Sequence, residues 1–287
     1  MEAKSKAFFT DTHAHLASSR FVGCLPELLT RASEAGIGRI VSISCDLEDV
    51  ESNLAIAASG PGIFTTAGIH PCYVHEPGPE GWGERLRVLA RAPEIVAIGE
   101  IGLDFYHPPQ DGTSEAAWRG RQHRVFEEML QLATDLDLPA VIHQRESFAP
   151  TLDVLQAFPK VRAVLHCFTG GPAEAERALA AGHFLSFTGV LTYPKSEEVR
   201  AAAAIAPVDR IFVETDAPYL APVPFRGKTC EPSMVAYTAR RLGELHGLGP
   251  DEIAKLTSEN AEKFFRLRGP LLSPGTPGTA LAPSVEP

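Results

Sequence analysis

The sequence has little cysteine, little positive charge and no long apolar run. Its five cysteines are scattered without Cys-x-x-Cys spacing, which argues against a disulfide framework and against a structural zinc knuckle. The 26 Lys and Arg residues are outnumbered by 36 Asp and Glu, so the net charge of −10 argues against a protein that coats nucleic acid non-specifically. An enzyme acting on nucleic acid is not excluded, because metal ions can supply local positive charge.

No run of about 20 apolar residues occurs, so no transmembrane helix and no membrane partner are predicted. The basic residues near the start, in 1–6, are not followed by an apolar signal core, which predicts a cytoplasmic protein. The chain has 287 residues, of which 44% are apolar and 22% charged. That length suits a single α/β barrel of about 250 residues.

Eight short segments rich in β-branched or aromatic residues alternate with helix-like segments. The predicted strands are Phe8–Thr12, Arg39–Cys45, Phe64–Ile69, Ile95–Gly99, Ala140–His143, Ala163–His166, Phe184–Gly189 and Ile211–Glu214. The predicted helices are Pro26–Ala35, Leu47–Ser59, Glu80–Arg91, Ala116–Leu136, Ala149–Phe158, Pro172–Ala181, Ser196–Ala204 and Pro232–Leu245. This alternation predicts a parallel (β/α)8 TIM barrel. An open doubly wound sheet is the alternative, but its Gly-rich phosphate turn is missing after the first strand.

The end of the chain differs in composition from the rest. Two further helices, Pro250–Leu256 and Asn260–Leu267, are predicted to cover one end of the barrel. The residues from 269 to 287 are rich in Pro, Gly, Ser and Thr and carry almost no charge, which predicts a disordered tail. We therefore expect one barrel domain over residues 1–268 and a tail over 269–287.

Histidines are concentrated where predicted strands end. In a strand, residues two apart point to the same face, so His13 and His15 could offer two imidazoles to one metal ion. His70, His143 and His166 follow three other strands, so that five of the ten histidines lie at strand ends. Taken alone, each of these could be a core histidine, but active sites of such barrels lie at the carboxyl ends of the strands.

Two carboxylates accompany these histidines. Glu100 follows the fourth strand and Asp216 follows the eighth. Singly, Glu100 could be satisfied by a nearby arginine, and Asp216 could cap a turn. Jointly, four histidines and two carboxylates provide ligands for two divalent ions, and a carboxylate can bridge two metals. The pattern therefore suggests a two-metal hydrolase in which the ions activate water.

Several motifs together resemble the TatD family of metal-dependent deoxyribonucleases, within the metal-dependent hydrolase barrel superfamily. They are Asp11-Thr12-His13-Ala14-His15, Gly68-Ile69-His70-Pro71, Gly99-Glu100-Ile101-Gly102-Leu103-Asp104, His143-Gln144-Arg145, His166-Cys167-Phe168-Thr169-Gly170, Glu214-Thr215-Asp216-Ala217-Pro218-Tyr219-Leu220 and Arg226-Gly227-Lys228 before Glu231-Pro232. The resemblance extends from about Phe9 to Phe265.

The resemblance implies a role for each of these residues. His13, His15 and Asp216 would hold one metal, His143 and His166 the other, and Glu100 would bridge them. Asp216 would also accept a proton from the attacking water. The remaining residues are expected to bind substrate phosphate: His70, Arg145, Arg226 and Lys228.

Some of these roles have alternatives. His70 could instead bind a third metal ion or stabilise the turn before Pro71, and Arg145 could neutralise Glu146 or another carboxylate on the rim. Asp104 is expected to be a hydrogen-bonding partner rather than a ligand. The two ions would be Zn²⁺, Mn²⁺, Fe²⁺ or Mg²⁺, with Mg²⁺ less suited to so many imidazoles.

The resulting prediction is a 3′-to-5′ exonuclease that hydrolyses phosphodiester bonds in single-stranded DNA or at 3′ ends, as a monomer or weak oligomer. The catalytic residues would be Asp216 and Glu100. The alternative is an ester or amide hydrolase, such as an aminoacyl-tRNA deacylase or a lactonase. A non-catalytic barrel is the weakest interpretation, because loss of catalysis would typically remove a ligand.

Overall fold

The computed structural model describes residues 7–74, 81–109 and 112–273. Across them, parallel strands alternate with helices. The strands are β1 (Phe9–Ala14), β2 (Ile37–Ser42), β3 (Ile63–Ala67), β4 (Ile95–Asp104), β5 (Ala140–Arg145), β6 (Ala163–Leu165), β7 (Phe184–Phe187) and β8 (Ile211–Val213). The α-helices are α1 (Leu25–Glu34), α2 (Leu47–Ala58), α3 (Trp82–Leu89), α4 (Glu115–Leu136), α5 (Phe148–Gln156), α6 (Pro172–Ala180), α7 (Glu197–Ile205), α8 (Val235–His246) and α9 (Pro250–Phe265).

Each strand pairs in parallel with the next one in the chain, from β1 through to β8. An isolated bridge between Ala14 and Ala217 brings the segment after β8 back to β1. The predicted (β/α)8 barrel is confirmed, and all eight predicted strands overlap observed ones. Two parts of the sequence predictions lie outside the described residues. They are residues 1–6 at the start and Glu80, where the third helix is predicted to begin.

Local sequence accounts for several helices. The Asp46 side chain accepts a hydrogen bond from the Asp49 N–H and so caps α2. In α4, an apolar stripe is buried between the helix and the sheet, and it includes Phe126, Met129 and Leu130. The helix predicted from Pro232 begins instead with a 3₁₀ turn and becomes α-helical at Val235.

The strand β4 is longer than predicted, because its glycines do not end it. It continues to Asp104, which pairs with Arg145 on β5. Gly102 has a φ of 141°, and a Cβ atom there would collide with the carbonyl oxygen of His143. Glycine therefore lets the strand pass close to β5, and the extension carries β4 into the rim of the barrel.

The two helices predicted over 250–256 and 260–267 form the single helix α9. Two hydroxyl residues weaken the local helix pattern, Thr257 and Ser258, and each of them donates a hydrogen bond. Thr257 donates to a carbonyl one turn earlier at 2.8 Å, and Ser258 donates to the carbonyl of Phe8 at 2.9 Å. The contact with the residue before β1 is long-range, so sequence periodicity could not reveal it.

Two apolar layers surround the strands. Ile98 and Leu165 belong to the layer between sheet and helices, whereas Val141 and Phe212 fill the barrel interior. Phe264, near the end of α9, packs into that interior cluster and closes the amino end of the barrel, as predicted for this part of the chain. Throughout the described ranges, every helix is too short or too polar to cross a membrane.

The first five residues of the predicted tail, 269–273, lie within the described residues. Leu272 is 7% exposed, and its N–H donates to the carbonyl of Gly38 at 2.8 Å. Packed chain therefore continues for several residues past the predicted domain boundary at 268, and residues 274–287 of the predicted tail lie outside those described.

Candidate metal centre

The alternation of side chains along the strands places the candidate ligands above the barrel interior. Val141 and Val164 belong to the interior apolar cluster. His143 and His166 come two residues later, so they point to the same face at the carboxyl ends of β5 and β6. The ligands therefore form a polar layer directly above an apolar one.

Glu100 lies at the centre of this polar layer. One of its oxygens, Oε1, is 2.8 Å from His143 Nδ1 and 2.8 Å from His166 Nε2. The other, Oε2, is 3.4 Å from His13 Nε2 and 3.9 Å from His15 Nε2. The side chain is 3% exposed. One carboxylate thus lies between two pairs of histidines, with one oxygen toward each pair.

Asp216 lies on the side of His13 and His15. Its Oδ1 is 3.4 Å from His15 Nε2 and 3.5 Å from His13 Nε2. Asp216 has a left-handed φ of 59°, which aspartate tolerates better than most residues, and its N–H donates to the His13 carbonyl at 2.8 Å. Burial alone would raise the pKa of Asp216, but the two histidines hold it below its usual value, so the carboxylate is ionised.

Divalent cations fit this group of residues. His13 is fully buried, and neither of its ring nitrogens has a hydrogen-bond partner among the described residues. Burial and the neighbouring His166 lower the pKa of His13, so its imidazole is neutral, which is the form that coordinates a metal. Imidazole nitrogens and carboxylate oxygens are ligands suited to Zn²⁺, Mn²⁺ and Fe²⁺. Burying an imidazole whose nitrogens have no partner costs free energy, unless a bound cation takes the place of the missing partner.

Two further carboxylates orient the histidines on the other side. Asp104 Oδ2 is 3.0 Å from His143 Nε2, and Glu214 Oε1 is 3.4 Å from His166 Nδ1. Carboxylates behind histidine ligands fix the ring and its tautomer. Burial alone would lower the pKa of His166, but Glu100 outweighs it and raises the pKa well above its usual value. His143 shifts in the same direction, through Asp104 and Glu100.

His70 contacts the same centre and also holds a turn. Its Nε2 is 3.3 Å from His143 Nδ1 and 3.5 Å from Glu100 Oε1. Its Nδ1 accepts a hydrogen bond from the Cys72 N–H at 3.1 Å. Burial lowers the pKa of His70 to about 3, so the ring is neutral. Nδ1 of His70 therefore stabilises the turn, while Nε2 faces Glu100.

The three basic residues lie on the rim rather than in the buried cluster. Arg145, Arg226 and Lys228 are exposed, and none pairs with a carboxylate anywhere in the described ranges. The guanidinium carbons of Arg145 and Arg226 lie 4.0 Å from the ring centroids of Tyr106 and Tyr193, respectively. Arg145 therefore stacks on Tyr106 and forms no ion pair with Glu146.

Sequence reasoning assigned no role to two residues beside the cluster. Cys45, after β2, places its Sγ 3.8 Å from His15 Nδ1, and burial raises the pKa of this thiol to about 11. Asp11 accepts hydrogen bonds from the N–H and hydroxyl of Thr215, at 2.9 and 2.6 Å. A signal was available for both residues: Cys45 comes shortly after β2, and Asp11 lies on β1 two residues before His13, on the same strand face.

Comparison with known proteins gives consistent matches over nearly the whole chain. A family model described as "TatD related DNase" matches residues 10–266. The Escherichia coli "uncharacterized metal-dependent hydrolase YcfH" is 31% identical over 91% of this chain and 96% of its own length. The Erwinia tasmaniensis "3′-5′ ssDNA/RNA exonuclease TatD" is 33% identical over 90% and 99%. The crystal structure of the Escherichia coli TatD homologue YjjV superposes with a TM-score of 0.83, at 30% identity over 91% of this chain and 98% of that one.

Proposed function

The chain belongs to the TatD family of metal-dependent hydrolases, and from this premise we propose that it is a 3′-to-5′ exonuclease that hydrolyses single-stranded DNA. The Erwinia tasmaniensis relative is named a 3′-5′ ssDNA/RNA exonuclease, which supports the proposal. The position of Glu100 carries the proposal, because each of its oxygens faces a separate pair of histidines, as a ligand between two ions would require.

The proposed ligands fall into two groups around Glu100. His13, His15 and Asp216 would hold one ion, His143 and His166 the other, with Glu100 between them; His70 faces the second group. When bound, divalent ions supply the Lewis acidity that activates water and offsets charge on a phosphate. Zn²⁺, Mn²⁺, Fe²⁺ and Mg²⁺ remain the candidates.

The protein's own groups would move the proton and hold the substrate. Asp216 is ionised and open toward the centre, with a side chain 15% exposed, so its carboxylate can accept the proton of the attacking water. Arg145, Arg226 and Lys228 lack carboxylate partners among the residues described and are free to bind phosphate. The planar guanidinium suits two phosphate oxygens at once.

Labelled oligonucleotides test this proposal. Chelator-treated protein is resupplied with Mn²⁺, Zn²⁺ or Mg²⁺ and given single-stranded DNA labelled at either end. A 3′ label should appear first as mononucleotide, and a 5′ label should give a ladder of decreasing length, both abolished by chelator. Single-stranded RNA, an aminoacyl-tRNA and a lactone are assayed in parallel.

The parallel substrates decide between the two hydrolase classes. Absence of nucleotide release with every ion, together with turnover of the ester substrates, would replace the exonuclease by the ester or amide hydrolase. Turnover of DNA and RNA alike would widen the proposed substrate to both. The cytoplasmic location and the monomeric or weakly oligomeric state stay predictions.

A further inference from the structure

The most exposed tyrosines of the protein lie next to candidate metal ligands. Tyr106 and Tyr219 are each 50% exposed. The Tyr219 ring lies 6.2 Å from the ring of His15. The Tyr106 N–H donates to Asp104, whose carboxylate also contacts His143. Half-exposed aromatic rings beside a polar centre are typical of a surface that binds a ligand.

Each of these rings is accompanied by an arginine that has no ion-pair partner in the described ranges. The guanidinium carbon of Arg145 lies 4.0 Å from the Tyr106 centroid, and that of Arg20 lies 5.3 Å from the Tyr219 centroid. Some other arginines pair with carboxylates instead, as Arg85 does with Glu51 at 2.6 Å. In a chain with a net charge of −10, two unpaired cations stacked on exposed rings mark a surface for an anionic ligand that has flat rings.

The two pairs lie on opposite sides of the metal centre. Tyr106 follows β4 and Tyr219 follows β8, and these strands are four places apart in a ring of eight. The candidate ligands lie between them, since His143 is on the β4 side and His15 on the β8 side. A strand with its reacting phosphate at the centre would therefore pass one tyrosine–arginine pair on each side.

We propose that the Tyr106/Arg145 pair and the Tyr219/Arg20 pair are two single-base subsites, one on each side of the bond that is cut. This inference rests on the proposed exonuclease function. Each ring would stack on one unpaired base while the adjoining guanidinium contacts a neighbouring phosphate. For a terminal cut, one subsite holds the last nucleotide and the other holds the penultimate one. A base engaged in this way is separated from its neighbour, so a single strand is selected over a duplex.

Deleting the ring and deleting the base should have the same effect. We would measure kcat/KM on single-stranded DNA with a normal end, with an abasic terminal residue, and with an abasic penultimate residue. Tyr106→Ala and Tyr219→Ala should each lower kcat/KM on normal DNA by about 10-fold. One variant should lose its sensitivity to the abasic terminal residue, and the other its sensitivity to the abasic penultimate residue. Tyr106→Phe and Tyr219→Phe retain the ring and should therefore keep the sensitivity to both abasic residues.

Tyr73 provides a matched comparison on the same rim. It is 42% exposed and lies 6.0 Å from the His70 ring, but no described cation lies over it. Tyr73→Ala should keep the full sensitivity to both abasic residues. Two results would refute the subsites. One is that Tyr106→Ala and Tyr219→Ala both cleave normal DNA like wild type. The other is that each variant lowers kcat/KM by the same factor on abasic DNA as on normal DNA. Failure of wild type to cleave any of these strands would refute the exonuclease proposal instead.

Discussion

Replacing Glu100 by Gln should weaken the binding of both proposed metal ions without unfolding the barrel. The amide keeps the volume of the carboxylate, so no cavity is created, but it lacks the charge and cannot ligate through both ends as a carboxylate does. Because Oε1 faces His143 and His166 while Oε2 faces His13, the substitution removes an anionic oxygen from each proposed ion.

The size of the effect follows from that double loss. Removing a partner that merely supports a ligand costs about 10- to 100-fold in metal affinity. Losing a ligand should cost at least about 100-fold, or roughly 2.7 kcal/mol, at each of the two ions. At micromolar metal the variant should therefore retain at most one ion per chain. Metal content after dialysis, measured by mass spectrometry and by titration calorimetry, gives the comparison.

The control is a Glu-to-Gln substitution elsewhere on the rim, which removes the same charge at a position outside the proposed metal centre. Glu146 is exposed after β5, and Glu146→Gln should keep the wild-type metal content. Unfolding in excess chelator removes the contribution of bound metal, and under that condition Glu100→Gln should still unfold in one cooperative transition. Two ions per chain in Glu100→Gln would show that Glu100 does not bridge them.

Three further outcomes are expected. Asp216→Asn should lower kcat on single-stranded DNA by about 100-fold or more while the circular dichroism spectrum stays unchanged. Since Glu100 raises the pKa of two histidines in the metal-free protein, metal binding must release protons; calorimetry should show affinity rising with pH from neutrality until the raised pKa is passed. A chain ending at Arg268 loses buried Leu272 and should have about 2–3 kcal/mol less unfolding free energy in urea than a chain ending at Ser273.

The fold and the cluster could be predicted because both follow from local periodicity. Short β-branched runs separated by amphipathic helices leave a closed parallel barrel as the main solution, and closure brings the strand ends to one rim. Residues such as His143 and His166 then face inward, because Val141 and Val164 two positions earlier must be buried. Which of these side chains hold metal stays a prediction.

The remaining features depend on contacts between segments far apart in the chain. The stacking of Arg145 on Tyr106 joins residues that follow two different strands, and no local pattern encodes it. The contact of Cys45 with His15 depends on the register of β1 against β2. Leu272 lies in a segment whose composition indicates disorder, yet it is held by the carbonyl of Gly38.

The seam between β8 and β1 connects the fold to the proposed chemistry. Among the described residues, backbone pairing across this seam is limited to the isolated bridge at Ala14 and a few loop hydrogen bonds. The buried Asp11 carboxylate adds two hydrogen bonds to Thr215 across it. His13 and Asp216 lie on opposite sides of the same seam, so an ion held between them would bind the two edges together. The segment where the sheet is weakest is therefore the one that metal binding would strengthen, which ties the stability of the barrel's closure to occupancy of its proposed site.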